Sequence, residues 1–220
     1  MASQTSPRAP QITHLTQPAD LVATRTDDLL DGDQREGERY DGAQLSGRDL
    51  EHTSFIGCAF HRVSLDRSRL RGAHFADVTL SEIEAAELGA SRSSWRSVEL
   101  TSSRLGAVEL YESQWRSVVV TGCKISFLNA RSAKWQDVIF RDCTFDELDL
   151  GGATVARLRF ERCQVTTLDL AHARLSDVDL RGAELGAVNG LDGLGGTWIN
   201  DHQLSDLAPL LAAHLKINIS

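Results

Sequence analysis

The chain has 220 residues, 41% of them hydrophobic and 25% charged, which suits one folded domain with short appendages and not a disordered chain. Its 23 basic residues against 31 acidic ones leave a formal net charge of −8, which argues against nonspecific nucleic-acid binding through many Lys and Arg contacts to phosphate. No apolar run reaches the roughly 18 residues of a membrane-spanning helix, and residues 1–7 lack the features of a signal peptide, so a cytoplasmic protein without membrane contact is expected.

Residues 1–40 read as a flexible N-terminal tail and cap. Residues 1–20 are rich in Pro, Gln, Ser and Thr, which predicts a mobile tail. Leu21 to Leu30 then reads as a short helix or irregular cap, followed by the acidic turn Asp31-Gly32-Asp33.

From 41 to 190 a five-residue rhythm takes over. Every position divisible by five from Leu45 to Leu185 is bulky and apolar, except Ala85, Ala90 and Ala130. The position two before it is small or apolar throughout, apart from Arg48. Five α-helical residues turn through about 500°, which scatters such positions around a helix. Strand alternation sends residues five apart to opposite faces. The rhythm therefore predicts units that each end in a bend, their middle residues facing a common axis, which is a β-helix.

The number of sides follows from residues that recur at a spacing of 20: Trp95, Trp115 and Trp135, preceded by Phe55 and Phe75; Phe140 and Phe160; and Cys123, Cys143 and Cys163. Like residues stack when coils lie in register. Twenty residues then make one four-sided coil, and about seven coils give a rod on the order of 35 Å long. Small and large residues alternate two positions before the centre (Ser93, Val98, Ser103, Val108, Ser113, Val118), placing the large ones on two opposite sides.

Segments such as Gly42-Ala43-Gln44-Leu45, Gly72-Ala73-His74-Phe75, Leu148-Asp149-Leu150, Gly152-Ala153-Thr154-Val155 and Val178-Asp179-Leu180 make this stretch similar to the pentapeptide repeat proteins. The resemblance covers residues 41 to about 190 and implies an all-β solenoid, a right-handed quadrilateral β-helix. The chain departs from the family's unit in its Trp-filled centres and in the scarcity of Asp or Asn just before the centre. Some members of that family are negatively charged rods that imitate a DNA duplex, occupy the DNA-binding saddle of DNA gyrase and protect against gyrase-targeting antibiotics. The resemblance thus implies a non-catalytic binding protein, with DNA gyrase as the protein partner to test.

After Val188 the rhythm stops, and residues 191–220 read as a loop plus a C-terminal helical cap. Gly190, Gly193, Gly195 and Gly196 predict the loop, and Asn200 or Asp201 a helix cap. Leu204, Leu207, Leu210, Leu211, His214 and Leu215 form an apolar stripe at helical spacing, which Pro209 should kink or divide in two. Such a helix covers the open end of a solenoid. Leu204, Leu207, Leu211 and Leu215 are also expected as a homodimer contact, which the C-terminal segment provides in some members of the family. Ile217-Asn218-Ile219 alternates like a short edge strand.

No catalytic, cofactor-binding or metal-binding residue is assigned, and an enzyme is not expected. The seven His and four Cys show no metal spacing, and no nucleophile or phosphate-loop signature occurs. The Cys column reads as small buried hydrophobes, because parallel Cβ vectors suit a disulfide badly. The Trp column reads as core filling, since nearby Ala and Ser give up the volume that close packing requires. A remote alternative is a ligand-binding or catalytic gap beside it, opening near Ala85, Ala90 or Ala130.

Charge supplies the remaining candidate. An acidic partner-binding surface is expected at Asp66, Glu84, Glu87, Asp146, Glu147 and Glu184 on the side centred on Leu105, and at Glu109, Glu112, Asp149 and Asp169 on its neighbour. The Trp-bearing side is net positive through Arg96, Arg116, Lys134, Arg157 and Arg174. A general protein-interaction scaffold with an unknown partner is the alternative to a gyrase-directed DNA mimic.

Overall fold

The computed structural model describes residues 6–24 and 29–218. They form a parallel β-solenoid of about nine turns with one C-terminal helix. Partners in adjacent turns keep the offset that the sequence rhythm predicts: Phe75 pairs with Trp95, Trp95 with Trp115, and Trp115 with Trp135. Strands such as Ser94–Thr101 run along two sides of the coil and build a 12-stranded sheet, while strands such as Arg104–Glu109 build a 7-stranded sheet along the third side and onto the fourth.

Two backbone devices make the corners. Between the side centred on Leu110 and the Trp-bearing side, the N–H of the fourth turn residue donates to the carbonyl of the first, as in Ser113 to Leu110 (3.1 Å) and Ala153 to Leu150 (2.9 Å). The third residue of each turn has positive φ, as type II turns require; Gly72 and Gly152 suit this, while Arg92 and Glu112 are held there against about 1 kcal/mol of strain or more. At the next corner, the strand continues through a single left-handed residue: Asp77, Ser97, Ser117, Asp137, Arg157 and Asp177 in successive coils.

The residues numbered in fives fill the axis, as their pattern predicts. Trp95, Trp115 and Trp135 are 6%, 4% and 1% exposed, and their rings follow Phe75 at centroid spacings of 4.5, 5.5 and 4.5 Å. Ser93 Oγ accepts the Trp95 indole N–H at 2.7 Å while donating to the Ala90 carbonyl. Ser113 Oγ accepts that of Trp135 at 3.4 Å. The buried Trp115 indole N–H has no acceptor. Trp115→Phe removes that unsatisfied donor along with some apolar area, so it should shift the unfolding free energy by less than about 1 kcal/mol in a denaturant titration. Trp135→Ala, which empties a fully packed site, should cost about 3–5 kcal/mol in the same measurement. The enclosed apolar space between Phe75, Trp95 and Trp115 is about 30 Å³, room for one water, while an open surface groove of about 620 Å³ follows the outer edge of the column past Arg96, Arg116 and Lys134.

The four cysteines are free and buried. Cys143 and Cys163 lie within 3.5 Å of the carbonyls of Val120 and Phe140 in the preceding coil. The neighbouring Cys123 thiol pushes Cys143 up to about 11.

Both ends differ from the rhythm. The ladder begins at Val22–Ala23, paired with Glu38 and Arg39, and ends at Thr197–Trp198, paired with Val178 and Asp179, so turns flank the block 41–190 on both sides. Of the expected helix or cap at Leu21–Leu30, the described part is strand at Val22–Ala23 and a buried Leu29; residues 25–28 lie outside the described residues. Helix α1 (Asp201–His214) starts with a capping box in which the Asn200 side chain accepts from the Gln203 N–H and the Gln203 side chain accepts from the Asn200 N–H. Pro209 sits inside one continuous helix and does not divide it in two. Ile217 and Asn218 are not strand, and Ile219 lies outside the described residues. Gln203 Nε2 donates to the carbonyls of Leu180 (2.7 Å) and Ala183 (2.8 Å), which would otherwise face a missing next coil.

Candidate interaction surfaces

The predicted acidic residues separate into two groups. Six are engaged within the coil ladder. Asp149 is buried, accepting from the Gly151 N–H (2.8 Å) and Arg131 Nε (2.5 Å). Asp169 accepts from the Ala171 N–H, Glu109 from the Asn129 amide, and Glu112 from Arg92 Nε. Asp66 accepts from the N–H groups of Ala86 and Glu87, and Glu184 from the Gln164 amide. The other four, Glu84, Glu87, Asp146 and Glu147, are exposed. Strand register places Arg104 and Lys124 directly beyond Glu84 in the same column, so no continuous acidic band forms.

Charges elsewhere are also matched from coil to coil. Asp142 pairs with Arg162 (2.6 Å), Glu161 with Arg141 (2.7 Å) and Asp137 with Arg157 (2.6 Å). Exposed pairs such as Asp142 with Arg162 contribute about 1 kcal/mol or less each, while Asp137 with Arg157 is largely buried. Their main effect is to cancel the field that a charged side would project.

The predicted dimer residues do not share one exposed face. Leu207 is 5% exposed and Leu211 packs beside it, both turned toward the last coil, while Leu204 and Leu215 are 51% and 66% exposed. Leu210 and Ile217 are exposed too.

Sequence reasoning missed the contact made by residues 7–18. They are not a tail apart from the rod but run lengthwise down the corner between the Trp-bearing side and its neighbour. The Arg8 N–H and Nε donate to the Asp177 carboxylate (3.0 and 2.7 Å), the Gln11 N–H to Asp137 (2.8 Å), the Thr13 N–H to Ser117 Oγ (2.7 Å) and the Thr16 N–H to Asp77 (3.2 Å). The Gln17 amide donates to the Cys58 carbonyl at 2.7 Å. At the far end Pro18 lies over Gly57, where a Cβ would come within 2.9 Å of its ring. This strap buries a corner that the other columns leave open: Ser117 is 4% exposed and Asp137 3%.

Burial pushes the Asp137 carboxyl up, but hydrogen bonds from Arg157, the Gln11 N–H and the Gln136 amide outweigh it and hold the group below its ordinary range. Its folded value thus lies below its unfolded one. The stability it contributes is complete above about pH 4 and is lost as the pH falls through the folded value. The Gln11 amide resonance, followed from pH 7 downward, should keep its docked position to about pH 4 and then move toward that of a free chain. A transition near pH 6, where ordinary histidines titrate, would contradict this assignment to Asp137 and its partner Arg157.

Residues 41–81 match the family described as Pentapeptide repeats, in 8 copies. Among solved structures, full-length QnrB1, a plasmid-mediated fluoroquinolone resistance protein, is 19% identical, with 86% of this chain and 94% of that chain covered and a TM-score of 0.41. HetL, a pentapeptide repeat protein involved in heterocyst differentiation regulation from the cyanobacterium Nostoc sp., is 16% identical, with coverage of 76% and 89% and a TM-score of 0.32. No curated protein matches the sequence.

Proposed function

We propose that this pentapeptide-repeat rod is non-catalytic and acts by binding a protein along its sides. The observation that carries the reading is the rod's surface: straight parallel-strand sides with charges matched coil to coil, around an axis packed down to a water-sized space. Such a surface offers long registered rows of side chains, and its grooves, along the Trp column and between the last coils and helix α1, lie open to water where catalysis needs a dry cleft.

A gyrase-directed DNA mimic is the narrower reading, favoured by the exposed Glu84, Glu87, Asp146 and Glu147. Those acids are three coils apart, about 14 Å, a length over which a duplex carries about eight charges. The matched surface therefore supports the broader reading better. Supercoiling by DNA gyrase, measured with and without micromolar purified chain and a fluoroquinolone, separates the two. An unchanged reaction is expected for the broader reading; inhibition, or rescue from the drug, would establish the narrower one. The exposed Leu204 and Leu215 also offer apolar contacts to a second copy, which sedimentation of the full chain and of Leu215→Lys tests.

A further inference from the structure

We propose that the corner from Asp177 to Gly57 is a binding track for a polypeptide in polyproline II conformation, and that residues 7–18 are its resident ligand. The first argument is spacing. From Arg8 on Asp177 to Pro18 on Gly57, ten residues cross six coils. Six coils span about 29 Å, so the strap rises about 2.9 Å per residue, close to the ~3.1 Å of polyproline II and short of a full strand. One polyproline II turn of three residues advances ~9.3 Å, and two coils advance ~9.6 Å. The contacts follow that match. Arg8 and Gln11, three residues apart, meet Asp177 and Asp137, two coils apart; Thr13 and Thr16 meet Ser117 and Asp77 in the same way.

The second argument is what the track reads. At four coils the acceptor is a side-chain oxygen of a left-handed corner residue, and the donor is a main-chain N–H. A ladder of acceptors facing main-chain donors selects backbone conformation and is tolerant of side-chain identity. Polyproline II suits it, because that conformation makes no internal hydrogen bonds and leaves every N–H outward. Pro7, Pro10 and Pro18 bias the strap toward it and cut the entropy lost on docking; Pro7 is itself buried. The third argument is the approach at Gly57, where the strap passes through space that any other residue would fill.

Proline substitution tests the proposal, since it keeps the conformation but removes the donor. In the full chain, Gln11→Pro, Thr13→Pro and Thr16→Pro together should release the strap while leaving every acceptor in place. A labelled synthetic peptide of residues 6–20 should then bind the triple variant with one-to-one stoichiometry, and bind the parent at least tenfold more weakly because its track is filled. The same peptide carrying the three prolines should not compete. Equal binding to parent and variant, or equal competition by the proline peptide, would overturn the proposal. Independently of any variant, hydrogen exchange of the Arg8, Gln11, Thr13 and Thr16 amides in the parent should be at least tenfold slower than in the free peptide. Free-peptide rates at those four amides would overturn it as well.

Discussion

Leu150→Asp is expected to abolish the folded rod. Leu150 is 1% exposed, and its own N–H and carbonyl are committed to Asp169 and to the turn that ends at Ala153. The carboxylate would face the apolar side chains on the axis, at a cost above about 4 kcal/mol against a total stability of about 5–15 kcal/mol in an ordinary domain. A solenoid has no detour around such a site, because each coil is held by its two neighbours only. Circular dichroism and size-exclusion chromatography of the purified variant should show lost strand signal or aggregation. Glu147→Lys, on an exposed position of the same coil, should stay within about 0.5 kcal/mol of the parent. A monomeric Leu150→Asp protein that unfolds cooperatively near the parent's midpoint would overturn the inward placement of every fifth residue.

The axis was legible because burial constrains it at each coil: Trp95, Trp115 and Trp135 had to recur once per coil for their rings to stack. The end turns carry no such rhythm. Val22 pairs with Glu38, short of a full coil's offset, through main-chain atoms that any sequence supplies. The strap was hidden for the same reason, since its donors are main-chain N–H groups. Its signal lay in the acceptors instead, with Asp77, Ser117, Asp137 and Asp177 recurring at one column of the repeat. Counting charges side by side overlooked that opposite charges one coil apart become neighbours. Arg92 with Glu112 and Asp142 with Arg162 could have been read from that spacing.

Deleting Gly106–Ile125 is expected to give a shorter folded rod, whereas deleting only Gly106–Leu110 is expected to destroy it. The longer deletion joins Leu105 to Ser126 and removes one whole coil, so each later residue still meets its own column: Trp95 would stack on Trp135, and Val98 on Val138. Nearest-neighbour stacking makes stability roughly a sum over coils, so losing one should lower it only in part. The strap would span one coil fewer and would have to take up about 4.8 Å, or one to two residues, at the excised step. The shorter deletion turns the rest of the rod by one side. Trp115 would then lie over Ala90, and the bulky Val118 over Ser93, whose hydroxyl already holds the Trp95 indole N–H and the Ala90 carbonyl. Overpacking at one such site costs about 1–3 kcal/mol, and the mismatch recurs across the whole new junction. Thermal unfolding followed by circular dichroism should show one cooperative transition for the whole-coil deletion and none for the single-side deletion. The reverse order would mean that the coil does not close on four sides of equal length.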